Sequence, residues 1–187
     1  MISRNVHKSP TSLRKRVRGV SMIELLVAVL VMGIGVLGIT ALQMVSLQNN
    51  RAALYRAEAV QLAYDMMDRI RANPAGVNVA GEAYDGIDLD DAPAEPTVMC
   101  NDAVCTQADM VEFDLAVWKC SLGGFNDDEV CEDLRDADVL PDAAAQPGLP
   151  DGDGSIAVDV ATGMITVVVS WQEPNGDVRN ITIDSQG

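Results

Sequence analysis

The sequence predicts an α+β fold in which a long N-terminal helix, membrane-spanning in its first half, packs on a small antiparallel C-terminal sheet. Three observations favour this class. The residues between Glu24 and Arg51 are all uncharged, the next 20 residues continue with helical periodicity, and the last third alternates apolar and polar residues with a period of two. At 187 residues the chain has room for one modest domain beyond the membrane segment.

The N-terminal helix is predicted to run from Ser21 to Ala72. About 20 apolar residues suffice to cross a bilayer, so the uncharged run is long enough. The helix should end at Asn73-Pro74, because the residue before proline is pushed out of the α region. Its second half carries an apolar stripe that should cover the sheet and form the spine of the exported domain. The stripe consists of Tyr55, Ala59, Leu62, Met66 and Ile70.

The middle of the chain is predicted to be mostly loop around one short helix. Thr106 and Asp109 form an arrangement close to a capping box, and a helix should follow from Ala108 to about Leu122. The three predicted loops are a solvated connection over 77–97, an acidic loop over 127–138 and a run rich in Pro, Gly and Asp over 141–154.

The C-terminal third predicts a three-stranded antiparallel meander. Turn residues at 161–163 and 174–177 separate three sets of alternating apolar residues. The sets are Ile156, Val158 and Val160; Ile165, Val167, Val169 and Trp171; and Ile181 and Ile183.

Charge is distributed very unevenly about Gly19. Cutting the chain there would leave seven basic residues against all 28 acids, a side-chain charge of −21. Such a surface repels nucleic acid, so direct nucleic-acid binding is not expected. The positive-inside rule keeps the basic leader cytoplasmic and places the residues after about Arg51 on the far side of the membrane. The leader's basic residues are Arg4, Lys8, Arg14, Lys15, Arg16 and Arg18.

The four cysteines all lie in the exported part, where disulfides persist. We expect the pairs Cys100–Cys105 and Cys120–Cys131, because both are local and each flanks one end of the second helix. Four cysteines allow three pairings. Zinc is the alternative, but there is no Cys-x-x-Cys pair and the only histidine is His7.

No catalytic site is predicted. Without a histidine after the leader, a Ser/His/Asp or Cys/His site is excluded from the exported part. The segment 33–38 matches the Gly-x-Gly-x-x-Gly dinucleotide fingerprint, but it lies in the apolar helix rather than after a strand, so no cofactor is expected. The segment 151–155 hints at a calcium loop without the distal glutamate of an EF-hand, and a solvated turn is the alternative.

One carboxylate, Glu24, lies at the start of the apolar run. It would cost roughly 2.5–3.5 kcal/mol near the centre of a membrane helix, so it calls for a partner or a place at the membrane edge. Cutting after Gly19 would free a positively charged amine on Val20, and that amine on a neighbouring copy could neutralise the acid. The nearest competitor is a cleaved secretory signal, but the run is too long for one and the cut lies before it.

The junction from Arg18 to Leu26 resembles the class III signal of type IV pilins and related pseudopilins. The resemblance implies a pilin-like fold, cleavage after Gly19 by a prepilin peptidase, methylation of the new Val20 amine and a role for Glu24 in assembly. It divides the chain into a leader at 1–19, an apolar transmembrane and assembly helix at 20–50 and a periplasmic head at 51–187.

Beyond the signal, the chain is similar to the PilV-type minor pilins. The matching segments are 65–73, Cys100 and Cys105 ahead of 114–118, and 167–171 with Gly176. The resemblance implies a subunit held by inner-membrane lipid and then inserted into the pilus fibre. There it would prime assembly at the tip with other minor pilins and the major pilin.

Two departures from the family pattern stand out. Val20 replaces the commoner phenylalanine, and no proline lies near Thr40. The alternatives are a minor pseudopilin of a type II secretion system, which shares the signal and the helix, and a single-pass periplasmic binding module that never polymerises.

Overall fold

The computed structural model describes residues 19–78, 84–159 and 161–186, so the leader up to Arg18 and the predicted strand residue Val160 lie outside the described residues. The chain divides at Val45–Ser46 into two units. The predicted α+β class is confirmed. The elements are α1 (Met22–Ala72), a 3₁₀ turn (Pro74–Asn78), α2 (Gln107–Leu122), α3 (Glu129–Asp136), β1 (Asp153–Asp159), β2 (Met164–Gln172) and β3 (Val178–Gln186).

The first unit contains the apolar part of α1. Its large apolar side chains from Met22 to Val45 are 53–81% exposed, and its most apolar 18-residue window is nowhere buried within the chain. By length and composition this helix can cross a membrane. A surface this apolar is stable only when lipid or other helices cover it.

The second unit is built on the rest of α1. Ala59, Met66 and Ile70 of the predicted stripe are fully buried, whereas Tyr55 and Leu62 are only partly buried. Ala63 and Met67 join the buried set. The buried arc is wider than the stripe because α1 touches α2 along one flank as well as the sheet beneath it.

The sheet is antiparallel with the strand order β1-β2-β3. Central β2 alternates strictly, so Ile165, Val167, Val169 and Trp171 are buried in the same core as α1. In the register, Val167 lies opposite Ile156 on β1 and Ile183 on β3. The three predicted strands and the two turns between them are confirmed, although β1 begins at Asp153, inside the run predicted to be a turn.

The predicted second helix is confirmed, with its capping box. Thr106 Oγ1 accepts a hydrogen bond from the amide of Asp109 (3.2 Å), and Asp109 Oδ2 accepts one from the amide of Thr106 (2.8 Å). The helix ends at Gly123, whose φ of 106° belongs to the left-handed region. A Cβ there would lie 2.5 Å from Leu149 O, so both conformation and space call for glycine.

The prediction of a loop over 127–138 is wrong, because α3 occupies its centre. Asp128 caps this helix by accepting a hydrogen bond from the amide of Val130 (3.0 Å). Cys131 and Leu134, three residues apart, are buried in a second cluster against α2. The helix forms because these two side chains and the cap outweigh the unfavourable density of acids around it.

Two disulfides crosslink the segments near the two ends of α2. The structure joins Cys100 to Cys105 and Cys120 to Cys131, the pairs expected from the sequence, so none of the four cysteines is free to bind zinc. In the chain-entropy view, loops of this length contribute about 2 and about 3 kcal/mol. The second bond ties α3 to the end of α2 and is itself buried.

The interpretation of 77–97 as a solvated connection is wrong at two points. Tyr84 is fully buried in the main core. Ile87 makes a β-bridge with Ile156, with backbone hydrogen bonds in both directions (3.2 and 2.8 Å). The segment 141–154 is likewise anchored, since Leu149 is buried and donates its amide to Leu122 O at 2.8 Å.

Candidate assembly site and the clasp of the head

The proposed cleavage site lies immediately before α1. Ser21 caps the helix: its hydroxyl accepts a hydrogen bond from the amide of Ile23 (3.2 Å) and its carbonyl accepts one from the amide of Glu24 (3.0 Å). Gly19 and Val20 therefore stay outside the helix and are exposed. Among the described residues, apart from Gly19 and its chain neighbours, no atom lies within 4 Å of where a Cβ on Gly19 would be. The described residues thus leave the Gly19–Val20 bond uncovered.

Glu24 is the only acid in the first turn of α1 and its side chain is exposed. Among the described residues, no basic side chain lies within salt-bridge distance of its carboxylate. Any charge that neutralises Glu24 must then come from outside the described part of this chain.

The three glycines Gly33, Gly35 and Gly38 lie inside α1, which contradicts a dinucleotide fold around them. Beyond the adjoining backbone of the helix, no atom of the described residues lies within 4 Å of a Cβ built on any of the three. They leave a shallow strip on the helix surface where the backbone of another helix could approach closely.

In the head, the end of α1 is fastened to α2 by a buried polar clasp. Arg69 donates to Asp114 (Nη1–Oδ1, 2.9 Å), and Tyr84 donates its hydroxyl to the other oxygen of Asp114 (2.6 Å). Asn73 Nδ2 donates to the Gln107 carbonyl at 2.8 Å. Asp114 and Asn73 are 5% and 8% exposed, so these bonds are shielded from water.

The clasp brings two of the quoted sequence segments into contact. Segment 65–73 supplies Arg69 and Asn73, and segment 114–118 supplies Asp114 and Trp118. The indole of Trp118 donates to the Leu62 carbonyl of α1 (3.0 Å). The two segments are therefore the two halves of one contact, which fixes α2 against α1.

Replacing Tyr84 with phenylalanine should destabilise the head in a pH-dependent way. Burial, together with the hydrogen bond to Asp114, raises the pKa of Tyr84 above its ordinary value of about 10. The folded state thus favours the neutral phenol. The contribution of this phenol to stability, about 1.5–3 kcal/mol for a hydrogen bond to a charged group, is fully present below about pH 10 and falls as the pH rises further.

The check is denaturant unfolding of the detergent-solubilised full chain at about pH 8 and about pH 11. The gap in unfolding free energy between parent and Tyr84→Phe should narrow at the higher pH. Tyr64→Phe, at an exposed tyrosine, is the control. If the parent and Tyr84→Phe lost the same unfolding free energy between the two pH values, the role given to the buried phenol would be refuted.

A second buried ion pair was not found by sequence reasoning. Lys119 is 2% exposed and donates to Asp153 Oδ1 (2.7 Å) and to the Asp88 carbonyl (3.0 Å). The Asp153 carboxylate also accepts hydrogen bonds from the amides of Gly154 (2.6 Å) and Asp90 (2.5 Å). The calcium alternative at 151–155 has no support, since Asp153 is fully engaged and the described residues hold no group of three metal-ligating side chains.

The comparisons with known proteins agree with this geometry. Residues 14–40 match the model of the prokaryotic N-terminal methylation motif, and residues 41–116 match the model described as Type IV pilin Tt1218. The first match contains Gly19 and Glu24, and the second reaches Asp114 of the clasp. No curated protein and no solved structure matches the chain.

The two matches follow one another without a gap and together reach from the leader into α2. The methylation motif implies processing by prepilin peptidase, and the apolar N-terminal helix is consistent with a membrane and pilus location. Over residues 14–116 the chain carries the N-terminal methylation motif followed by a match to a type IV pilin, which identifies this part as that of a structural, non-enzymatic type IV pilin.

Proposed function

We propose that this chain is a minor pilin of the PilV type that takes part in priming and assembly of type IV pili. The observation that carries the proposal is the exposed apolar half of α1, whose one carboxylate, Glu24, follows the exposed residues Gly19 and Val20 and has no basic partner among the described residues. An isolated helix of this kind leaves its apolar surface uncovered and its carboxylate without a counter-charge. Packing with the helices of other subunits supplies both.

The first step is processing. Prepilin peptidase cuts after Gly19, which removes the leader 1–19 with its six basic residues, and Val20 is methylated on its new amine. Segment 20–50 then remains as the helix that lies in inner-membrane lipid and later in the fibre. Residues 51–187 form the head on the periplasmic side.

The second step is pairing with other subunits. The Val20 amine of a neighbouring minor or major pilin approaches Glu24 in a low-dielectric helix bundle, where opposite charges attract far more strongly than in water. The glycine strip at 33–38 supports close packing of these helices. The head, with 27 of the 28 acids, is unsuited to binding nucleic acid directly.

Mass spectrometry of the N-terminus tests this proposal. The full chain is purified from membranes of the native cell and analysed intact and after proteolysis. We expect a chain that begins at Val20 and carries one methyl group on its amine. A chain that begins at Met1, or one cut on the far side of the apolar run, would contradict the proposal and favour a simple anchored binding module.

A further inference from the structure

The β1 edge of the sheet is closed by the chain itself. The amide of Ile156 donates to the Ile87 carbonyl at 2.8 Å. The amide of Val158 donates to Asp85 Oδ1 at 2.7 Å, and that of Gly154 donates to the carboxylate of the residue before it at 2.6 Å. All three outward-facing amides in the body of β1 thus have an acceptor, which prevents another strand from pairing there.

The direction of the backbone groups in β3 follows from the register. Glu173, just after β2, donates its amide to the Asp177 carbonyl on the β3 side (2.8 Å). Backbone groups alternate in direction along a strand, so Val169 and Val167 bond to their partners Ile181 and Ile183. The β3 residues that alternate with Ile181 and Ile183 therefore point their amides and carbonyls away from β2, toward the free edge of the sheet. We call this the open edge: Val178, Asn180, Thr182, Asp184 and Gln186.

The open edge lacks the protection that β1 has. The described part of the chain supplies no acceptor for the amides of Asn180, Thr182 and Asp184. The strand is nine residues long and contains neither proline nor lysine, the residues that usually blunt an edge. It is thus ready to accept a further strand.

One flank of α1 meets the end of β3. Val60, Met67 and Arg71 recur at helical spacing and so share this flank. Arg71 donates to Ser185 Oγ of β3 at 2.7 Å, which places the C-terminal end of the flank next to the strand. Met67 is fully buried, whereas Val60, about two turns earlier, is 37% exposed.

The facing side of β3 is also only half covered. Ile181 and Ile183 point to the core side of the sheet but are partly exposed, whereas their partners Val169 and Val167 on β2 are fully buried. They form a shallow apolar trough beside the open edge. A strand added to β3 would bury this trough with every second side chain.

We propose that the open edge of β3 pairs with an extended strand of a different membrane-anchored subunit, whose alternate apolar side chains fill the trough. This inference rests on the proposed function for the nature of the partner. It adds a lateral contact between heads to the contact between N-terminal helices.

A second copy of this chain does not fit the position. Head-to-tail pairing would need a free β1 edge, which Ile87 and Asp85 close. Pairing of β3 with β3 about a two-fold axis would reverse the direction of α1 in the second copy, but chains anchored in one membrane through their N-terminal segments must run the same way.

The balance of charge on β3 also favours contact with another acidic subunit. Strand β3 contains one acid, Asp184, and one base, Arg179, whereas the chain after Gly19 has 28 acids against seven bases. Another acidic subunit meets less repulsion along this strand than elsewhere on the head.

The test compares Thr182→Pro with Thr182→Val in the tagged full-length chain, produced in native cells that lack the untagged copy. Both variants lose the hydroxyl, but only proline removes the outward amide, and neither touches a bond to β2. Both should melt at the parent temperature. Proteins that carry the N-terminal methylation motif are then quantified after co-purification from membranes, and we expect about tenfold less of one of them with Thr182→Pro only.

Hydrogen exchange of the unmodified chain gives an independent measurement. The amides of Asn180, Thr182 and Asp184 should exchange quickly in the purified chain and slowly in the co-purified complex, while those of Ile181 and Ile183 stay protected in both. Equal recovery with both variants, or fast exchange in the complex, would overturn the inference and leave the proposed function intact. A second, differently tagged copy recovered through this edge would overturn the choice of partner. If the parent recovers no other pilin, the proposed function fails and the inference fails with it.

Discussion

A Gly19→Leu chain should accumulate as an uncleaved precursor held in the membrane. A peptidase that encloses the chain closely around the cut leaves no room for a branched side chain at this position, even though the described residues of the substrate leave space there. Cleavage should fall at least about tenfold, the effect of about 1.4 kcal/mol lost in the transition state. Immunoblotting of membrane fractions separates the precursor from the shorter mature chain.

The matched control is Val20→Phe, which changes the residue on the other side of the same bond to the one commonest in the family. We expect this variant to be cut normally. Mature-length protein from Gly19→Leu would remove the main support for processing at this site, since the leader would then be lost by another route.

Glu24→Ala should insert and be cut like the parent, yet fail to assemble with other pilins. Insertion needs only the apolar run, and removing a charge from it makes insertion easier. Assembly should fail because the neighbouring Val20 amine would lie in the helix bundle without its opposite charge, a loss of 3–5 kcal/mol for typical buried pairs. Cells carrying only this variant should show few surface pili, counted by electron microscopy, and little co-purification of other pilins.

Glu24→Gln separates charge from shape, because the amide keeps the length and polarity of the side chain. It should fail like Glu24→Ala if charge pairing is the cause. Wild-type pilus numbers with Glu24→Ala would refute the pairing, and the carboxylate would then mark only the edge of the membrane.

The elements with long periodic patterns were predictable from sequence. The end of α1 at Asn73-Pro74, the cap of α2 at Thr106 and the strict alternation of β2 each depend on neighbouring residues, and the structure confirms all three. Gly19, Val20 and Glu24 were likewise identified from local spacing. Their roles remain proposals, since they act between molecules.

What could not be predicted depends on contacts between distant segments. α3 has only two buried apolar residues, and its helix is fixed by Cys131 and Leu134 packing against α2. Tyr84 lies in a segment of loop composition but donates to Asp114, 30 residues away. From sequence alone Lys119 would be assigned to the surface, because its partner Asp153 lies on β1, 34 residues later in the chain. The signal that could have revealed it is a single lysine within the apolar pattern of α2.

The clasp at the end of α1 has a mechanical consequence. Traction along α1 would tend to slide this helix past α2, and the Arg69–Asp114 and Trp118–Leu62 bonds both span that boundary. Sliding by a single helical turn would break both bonds at once and move Met66 and Ile70 out of the positions in which they are fully buried. The head is therefore built to resist shear as one unit, so that a pull on the helix reaches the sheet without first unfolding the contact between them.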